Sequence, residues 1–131
     1  MSTAINVNQK QKQKNGQTPL HYTAENVHKD VVSMLISAGA NVNQGNKYHI
    51  TPLHNVAGNG HNEVVSLLIS NGASVNQGDE DHNTPLHYAA KRGHENVVPE
   101  LICHNANVNQ GNKVFHRNDT IFHTTKDENT P

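Results

Sequence analysis

The chain contains no tryptophan, two phenylalanines and three tyrosines in 131 residues. An interior built on large rings is thereby excluded, and aliphatic side chains have to fill it. Leucine, isoleucine, valine and phenylalanine together number 28 of 131, barely above the fifth or so at which chains become prone to disorder. A thin core and marginal stability are expected. One cysteine, Cys103, excludes an internal disulfide and suits a reducing compartment. It lies at the end of an apolar helical face and is read as a small packed residue. There is no run of 18 apolar residues, and no apolar stretch follows Met1, so neither a membrane span nor a signal peptide is expected. A formal charge of −1 offers no electrostatic reason for a nucleic-acid or membrane partner. No glycine-rich phosphate loop is present, and no nucleophile lies beside a base and an orienting acid, so neither enzyme nor cofactor is expected.

What the chain does contain is a period. Thr-Pro-Leu-His occurs at Thr18–His21, Thr51–His54 and Thr84–His87, with 33 residues between successive copies. Val31-Val32, Val64-Val65 and Val97-Val98 keep the same interval, as do Leu35-Ile36, Leu68-Ile69 and Leu101-Ile102. Asn41–Gln44, Ser74–Gln77 and Asn107–Gln110 follow it too. A fixed period of this length marks stacked units, each burying its apolar face only against its neighbours.

Each piece has a physical reading. Thr18, Thr51 and Thr84 are N-cap residues whose hydroxyls can accept from a first-turn amide. The proline that follows is pre-set for helix entry. A first helix of about eight residues should end near Asn26, Asn59 and Arg92. Gly60 and Gly93 mark a tight connection to a second helix, whose Val-Val-x-x-Leu-Ile forms one apolar stripe. Gly39 and Gly72 suit the left-handed residue that closes a helix.

The motif resembles the ankyrin repeat, over roughly Thr18 to Gln110, with a partial lead-in at Ile5–Gln9. The resemblance implies an all-α solenoid of stacked helix-turn-helix units with β-hairpin fingers. The stack is placed at residues 1–110, with a lead-in hairpin at 5–17 and units at about 18–40, 41–73 and 74–106. Residues 111–131 are read as a degenerate fourth unit or mobile tail, because Thr120-Ile121-Phe122-His123 stands 36 residues after Thr84 and has no proline.

The repeat absorbs most of the eleven histidines. His21, His54 and His87 close each Thr-Pro-Leu-His, where the resemblance implies hydrogen bonds to the local turn. His28, His61 and His94 open the second helices. His49 and His82 form a repeating pair on the fingers, but nothing nearby supplies the third and fourth ligands of a zinc site, so no metal is expected. The resemblance also implies Asn43, Asn76 and Asn109 as hydroxylation sites in an animal setting.

The resemblance further implies a protein partner held by the hairpin tips and the exposed side of the first helices. Carried over by position, the first unit offers Lys14, Asn15, Gln17, Glu25 and Asn26. The second offers Lys47, Tyr48, Ile50, Asn55 and Asn59, and the third Glu80, Asp81, Asn83, Lys91 and Arg92. Tyr48 and Ile50 are either an interface anchor, a role enriched in aromatics, or packing between fingers. Glu80 and Asp81 face Lys47 either as a finger-to-finger ion pair or as partner contacts.

Several positions depart from the pattern. Val27 stands where the other units have Gly60 and Gly93, and a β-branched residue tolerates a left-handed turn poorly. Pro99 replaces Ser33 and Ser66, and inside a helix it costs about 3 kcal/mol unless it lies in the first turn. Glu100 replaces Met34 and Leu67, and Asn105 replaces Gly39 and Gly72, giving the third unit a polar outer face. Lys10–Lys14 is an insertion of two residues relative to later fingers. Twenty asparagines and eight lysines against two arginines fit A/T-rich coding. A monomeric cytoplasmic protein is expected, delivered into a host cell if the source is an intracellular microbe. The function expected is a non-catalytic protein-interaction module, the alternative being a structural segment of a longer array without its own ligand.

Overall fold

The computed structural model describes residues 7–10 and 15–112. Six helices follow one another: α1 (Pro19–Glu25), α2 (Lys29–Ser37), α3 (Pro52–Gly58), α4 (Asn62–Ser70), α5 (Pro85–Lys91) and α6 (Val97–Cys103). They pair as α1 with α2, α3 with α4 and α5 with α6, while α1, α3 and α5 stack as one layer and α4 packs on α6. Among the described residues there is no strand. The fingers are tight turns, closed by Asn46 N–H to Ile50 C=O and Asp79 N–H to Asn83 C=O, both 2.9 Å.

Thr18, Thr51 and Thr84 cap the first helices with the proline at the first helical position. Each histidine completes a capping box through its ring as well as its backbone. Thr18 N–H and Thr51 N–H donate to Nδ1 of His21 and His54 at 3.0 Å. The other ring nitrogen reaches the next unit: His21 Nε2 to Ile50 C=O and His54 Nε2 to Asn83 C=O, each 2.8 Å. A carbonyl can only accept, so Nε2 carries the proton and Nδ1 the lone pair. These histidines therefore bind two units together, beyond the local turn the resemblance implies.

Asparagines make a second set of ties. Asn43 accepts from Ser74 N–H at 2.8 Å and donates to Gly72 C=O at 3.1 Å. Asn76 repeats this with Asn107 N–H and Asn105 C=O. Asn8 does the same for Asn41 N–H and Gly39 C=O. Asn8 lies 35 residues before Asn43 rather than 33, so the two-residue insertion falls between this clamp and the first helix. Residues 11–14 of that insertion, Lys14 among them, lie outside the described residues, as do Ile5 and Asn6 of the lead-in and the Thr120–His123 motif.

The core is aliphatic. Leu20, Leu53, Leu68 and Leu101 are buried together with Val32, Val56, Val64, Val65 and Val97. Pro99 is accommodated by a late start. Helix α6 begins at Val97, two residues after the position at which α4 begins in its own unit, which places Pro99 within the first turn. Glu100 is partly buried and accepts from Ser66 Oγ at 2.8 Å. Cys103 departs from expectation: it is exposed rather than packed, because Leu101 takes the inward position and turns Cys103 out.

Val27 has φ 59°, against 75° and 71° for Gly60 and Gly93. A left-handed conformation costs an L-residue about 1–2 kcal/mol, and the exposed Val27 side chain recovers little by burial. Val27→Gly should therefore raise the free energy of unfolding by about 1 kcal/mol in a urea titration. A neutral or negative effect would mean that the turn is relaxed.

Candidate functional site

The fingers and first helices enclose a groove of about 600 Å³ between units two and three. Its walls bring together seven of the expected partner-binding residues: Tyr48, Ile50, Glu80, Asp81, Asn83, Lys91 and Arg92. They come from two successive units, so the stack is what gathers them. Adjacent fingers are laced along the backbone, Lys47 N–H donating to Asn15 C=O at 2.8 Å and Glu80 N–H to Tyr48 C=O at 2.9 Å. The tips thus form one continuous edge.

Two residues that sequence reasoning missed, Asp79 and Tyr88, build the floor. Asp79 is buried; its Oδ1 accepts from Asp81 N–H and Asn83 N–H at 2.9 Å, and its Oδ2 from the Tyr88 hydroxyl at 2.6 Å. Asn46 holds the preceding finger likewise, through Tyr48 N–H and Ile50 N–H. The signal was the polar residue at 46, 79 and 112, again at 33. Burial, with the Asp79 carboxylate that accepts its proton, holds the Tyr88 phenol well above its ordinary pKa. Tyr88 therefore stays a neutral donor. Its ring lies 5.0 Å from that of His54 and rests on Gly58, where an added Cβ would come within 3.3 Å of Tyr88 Cδ2. Glu25 and Lys91 occupy the equivalent position in the other units, so Gly58 is what makes room for the ring.

The remaining expected residues fall into other arrangements. Glu25 accepts from Asn55 Nδ2 at 2.7 Å and from Gln17 Nε2 at 3.3 Å, and Gln17 Oε1 accepts from Asn46 Nδ2 at 2.9 Å. Four polar side chains thereby run as a chain from the first unit into the second. Asn26 bonds its own helix at Tyr22 C=O. Asn59 is the exposed C-cap of α3, and Asn15 is an exposed left-handed turn residue. Lys14 lies outside the described residues. Lys47 does not pair with Glu80 or Asp81; its ammonium lies 5.4 Å over the Tyr48 ring, a cation–π geometry.

His49 and His82 take left-handed φ angles of 63° and 65°, a conformation that favours glycine or asparagine. Among the described residues no three His, Cys, Asp or Glu side chains gather in a way that could hold a metal ion. No helix of the described residues is long and apolar enough to cross a membrane.

A family model described as ankyrin repeats in three copies matches residues 38–112, and one for the single ankyrin repeat matches residues 15–47. No individual curated protein matches the chain. The single-repeat match begins and ends on fingers, the three-copy match runs from the C-cap of α2 to the finger at Asn112, and the three-copy match alone covers more than half of the sequence. The chain belongs to the ankyrin repeat family.

Proposed function

We propose that this chain is a non-catalytic interaction module that holds a protein partner along its finger edge and the exposed face of α1, α3 and α5. Ankyrin repeats generally mediate protein–protein interaction, and the groove between units two and three supports that role here. The observation that carries the reading is convergence: Tyr48, Ile50, Lys91 and Arg92 come from different units and line one cavity. The Gln17–Glu25–Asn55 chain and the exposed Asn15, Asn26, Asn59 and Lys47 extend the same edge toward the first unit. Lys14 belongs to this proposed surface by sequence position alone.

The test starts from a partner captured with the full chain and then measures its affinity for variants. Tyr48→Ala and Lys91→Ala should each weaken binding, the former by about 2 kcal/mol, or roughly thirtyfold, if it is an anchor. Lys29→Ala, on the outer helix layer, should leave affinity unchanged. Retained affinity in both groove variants would sink the proposal.

A second reading, a segment within a longer array, is favoured by the far end of the stack. Ile102 is 46% exposed, whereas Ile36 and Ile69, its equivalents, pack against the core. Val108 is 61% exposed, whereas its equivalent Val42 is buried. The third unit thus carries exposed apolar side chains at its far end, against the polar outer face expected from Glu100 and Asn105, because Glu100 turns back to Ser66 of the second unit. In a stack stabilised by neighbour interfaces, joining one more Thr-Pro-Leu-His unit after Asn112 should raise the melting temperature by at least about 5 °C. No gain would count against this reading.

A further inference from the structure

We infer that the groove takes an extended partner segment bearing one apolar side chain, flanked by a basic residue on one side and an acidic residue on the other. The inference rests on reading the groove as the binding site, and adds what chemistry fits it. Its floor is polar in composition but already satisfied. The Tyr88 hydroxyl is committed to Asp79, and both Asp79 oxygens are occupied. The Asn83 side chain is committed as well, its Oδ1 accepting from Asn112 Nδ2 at 2.7 Å. A polar guest at the floor would shed its hydration and find few groups to replace it. An apolar guest set against Tyr48, Ile50 and the Tyr88 ring gains by its buried area.

The rims are different. Glu80 and Asp81 are exposed on the finger, and Lys91 and Arg92 are exposed at the end of α5. The ion pairs among the described residues are Lys29–Glu63 and His104–Glu100, so none of these four charges is paired. Both rims line the same groove, with Tyr88 in its wall. A partner of single charge sign would gain at one rim what it loses at the other. A segment with opposite charges on its two flanks gains at both, and the order of its charges sets the direction in which it lies. Exposed rim charges of this kind act mainly on register and association rate.

The experiment is selection of random twelve-residue peptides, displayed on phage, against the immobilised full chain. Enriched peptides are expected to carry an aromatic or branched apolar residue with Lys or Arg on one side and Asp or Glu on the other. Their affinity should fall at least tenfold in Tyr48→Ala. It should fall similarly in a charge-reversed variant (Glu80→Lys, Asp81→Lys, Lys91→Glu, Arg92→Glu), and a peptide with exchanged flanks should regain it there. The four reversed residues are exposed, and a thermal melt checks that the fold is intact. Peptides that depend on Tyr48 but show no charge order would overturn this inference and leave the groove reading standing. Peptides indifferent to Tyr48→Ala and to charge reversal would overturn both. Failure to enrich any sequence would overturn the linear segment proposed here.

Discussion

Replacing His54 by alanine should destabilise the stack by about 3 kcal/mol, enough to lower the melting temperature by about 15 °C. His54 is fully buried. Its Nδ1 accepts from Thr51 N–H within the cap, and its Nε2 donates to Asn83 C=O of the next finger. Alanine strands both backbone groups, at about 1–3 kcal/mol for each one left buried and unpaired. It also opens a void beneath Tyr88, whose ring leans on the imidazole. A small domain has only about 5–15 kcal/mol in total, so this single change consumes a large part of it. His87→Ala should cost less, because His87 is less deeply buried. Urea titrations of the two variants check the order, and a loss below about 1 kcal/mol for His54→Ala would show that the inter-unit bond contributes little. Partner affinity should fall with it, since the groove floor loses its support.

The features that repeat were legible in the sequence, because each is decided inside one unit. Threonine before proline sets the cap, glycine at 60 and 93 sets the turn, and paired valines set the buried stripe; α1 to α5 lie where these signals put them, and α6 starts two residues late, with Pro99 in its first turn. Features decided between units were not legible. The destination of His21 Nε2, 29 residues away, depends on how closely two fingers stack, and nothing local encodes that spacing. The asparagine clamps have the same origin: Asn43 and Asn76 stood out by sequence as periodic residues and as modification sites, yet their amides hold the next unit in place.

For the groove, the rims were visible and the floor was not. Exposed residues that vary between units can be picked by comparison, which found Tyr48, Glu80, Asp81, Lys91 and Arg92. Asp79 and Gly58 act through what they hold or make room for, namely Tyr88. Cys103 was misplaced for a related reason. An apolar helix face read from a heptapeptide does not specify its edge, and the inward turn of Leu101 puts Cys103 in solvent.

Acid should begin to destabilise this protein as pH falls below about 6.5. Burial lowers the pKa of His21, His54 and His87, in each case as the largest influence. Lys10 adds to the effect at His21. His21 adds to it at His54, while Asp79 and the carbonyls of Asn83 and Gln77 oppose it there. At His87 the opposing groups are the Gln110 carbonyl and Asp79. Geometry gives the same direction, for Nδ1 already accepts a threonine N–H, and a proton placed there would face another proton. A lowered folded pKa means that the unfolded chain takes up protons first as pH falls. The stability these residues contribute is therefore intact above about pH 6.5, the unfolded value, and is lost as pH falls from there through the folded values. Melting followed by circular dichroism should show a constant midpoint from pH 8 to about 6.5 and a fall on the order of 10 °C by pH 5. His54→Gln should be less stable at neutral pH and show a shallower fall, having lost the most buried titrating ring. A midpoint that does not move between pH 8 and 5 would mean that these rings keep their partners when charged, and that the Nε2–H tautomer assigned to them is wrong.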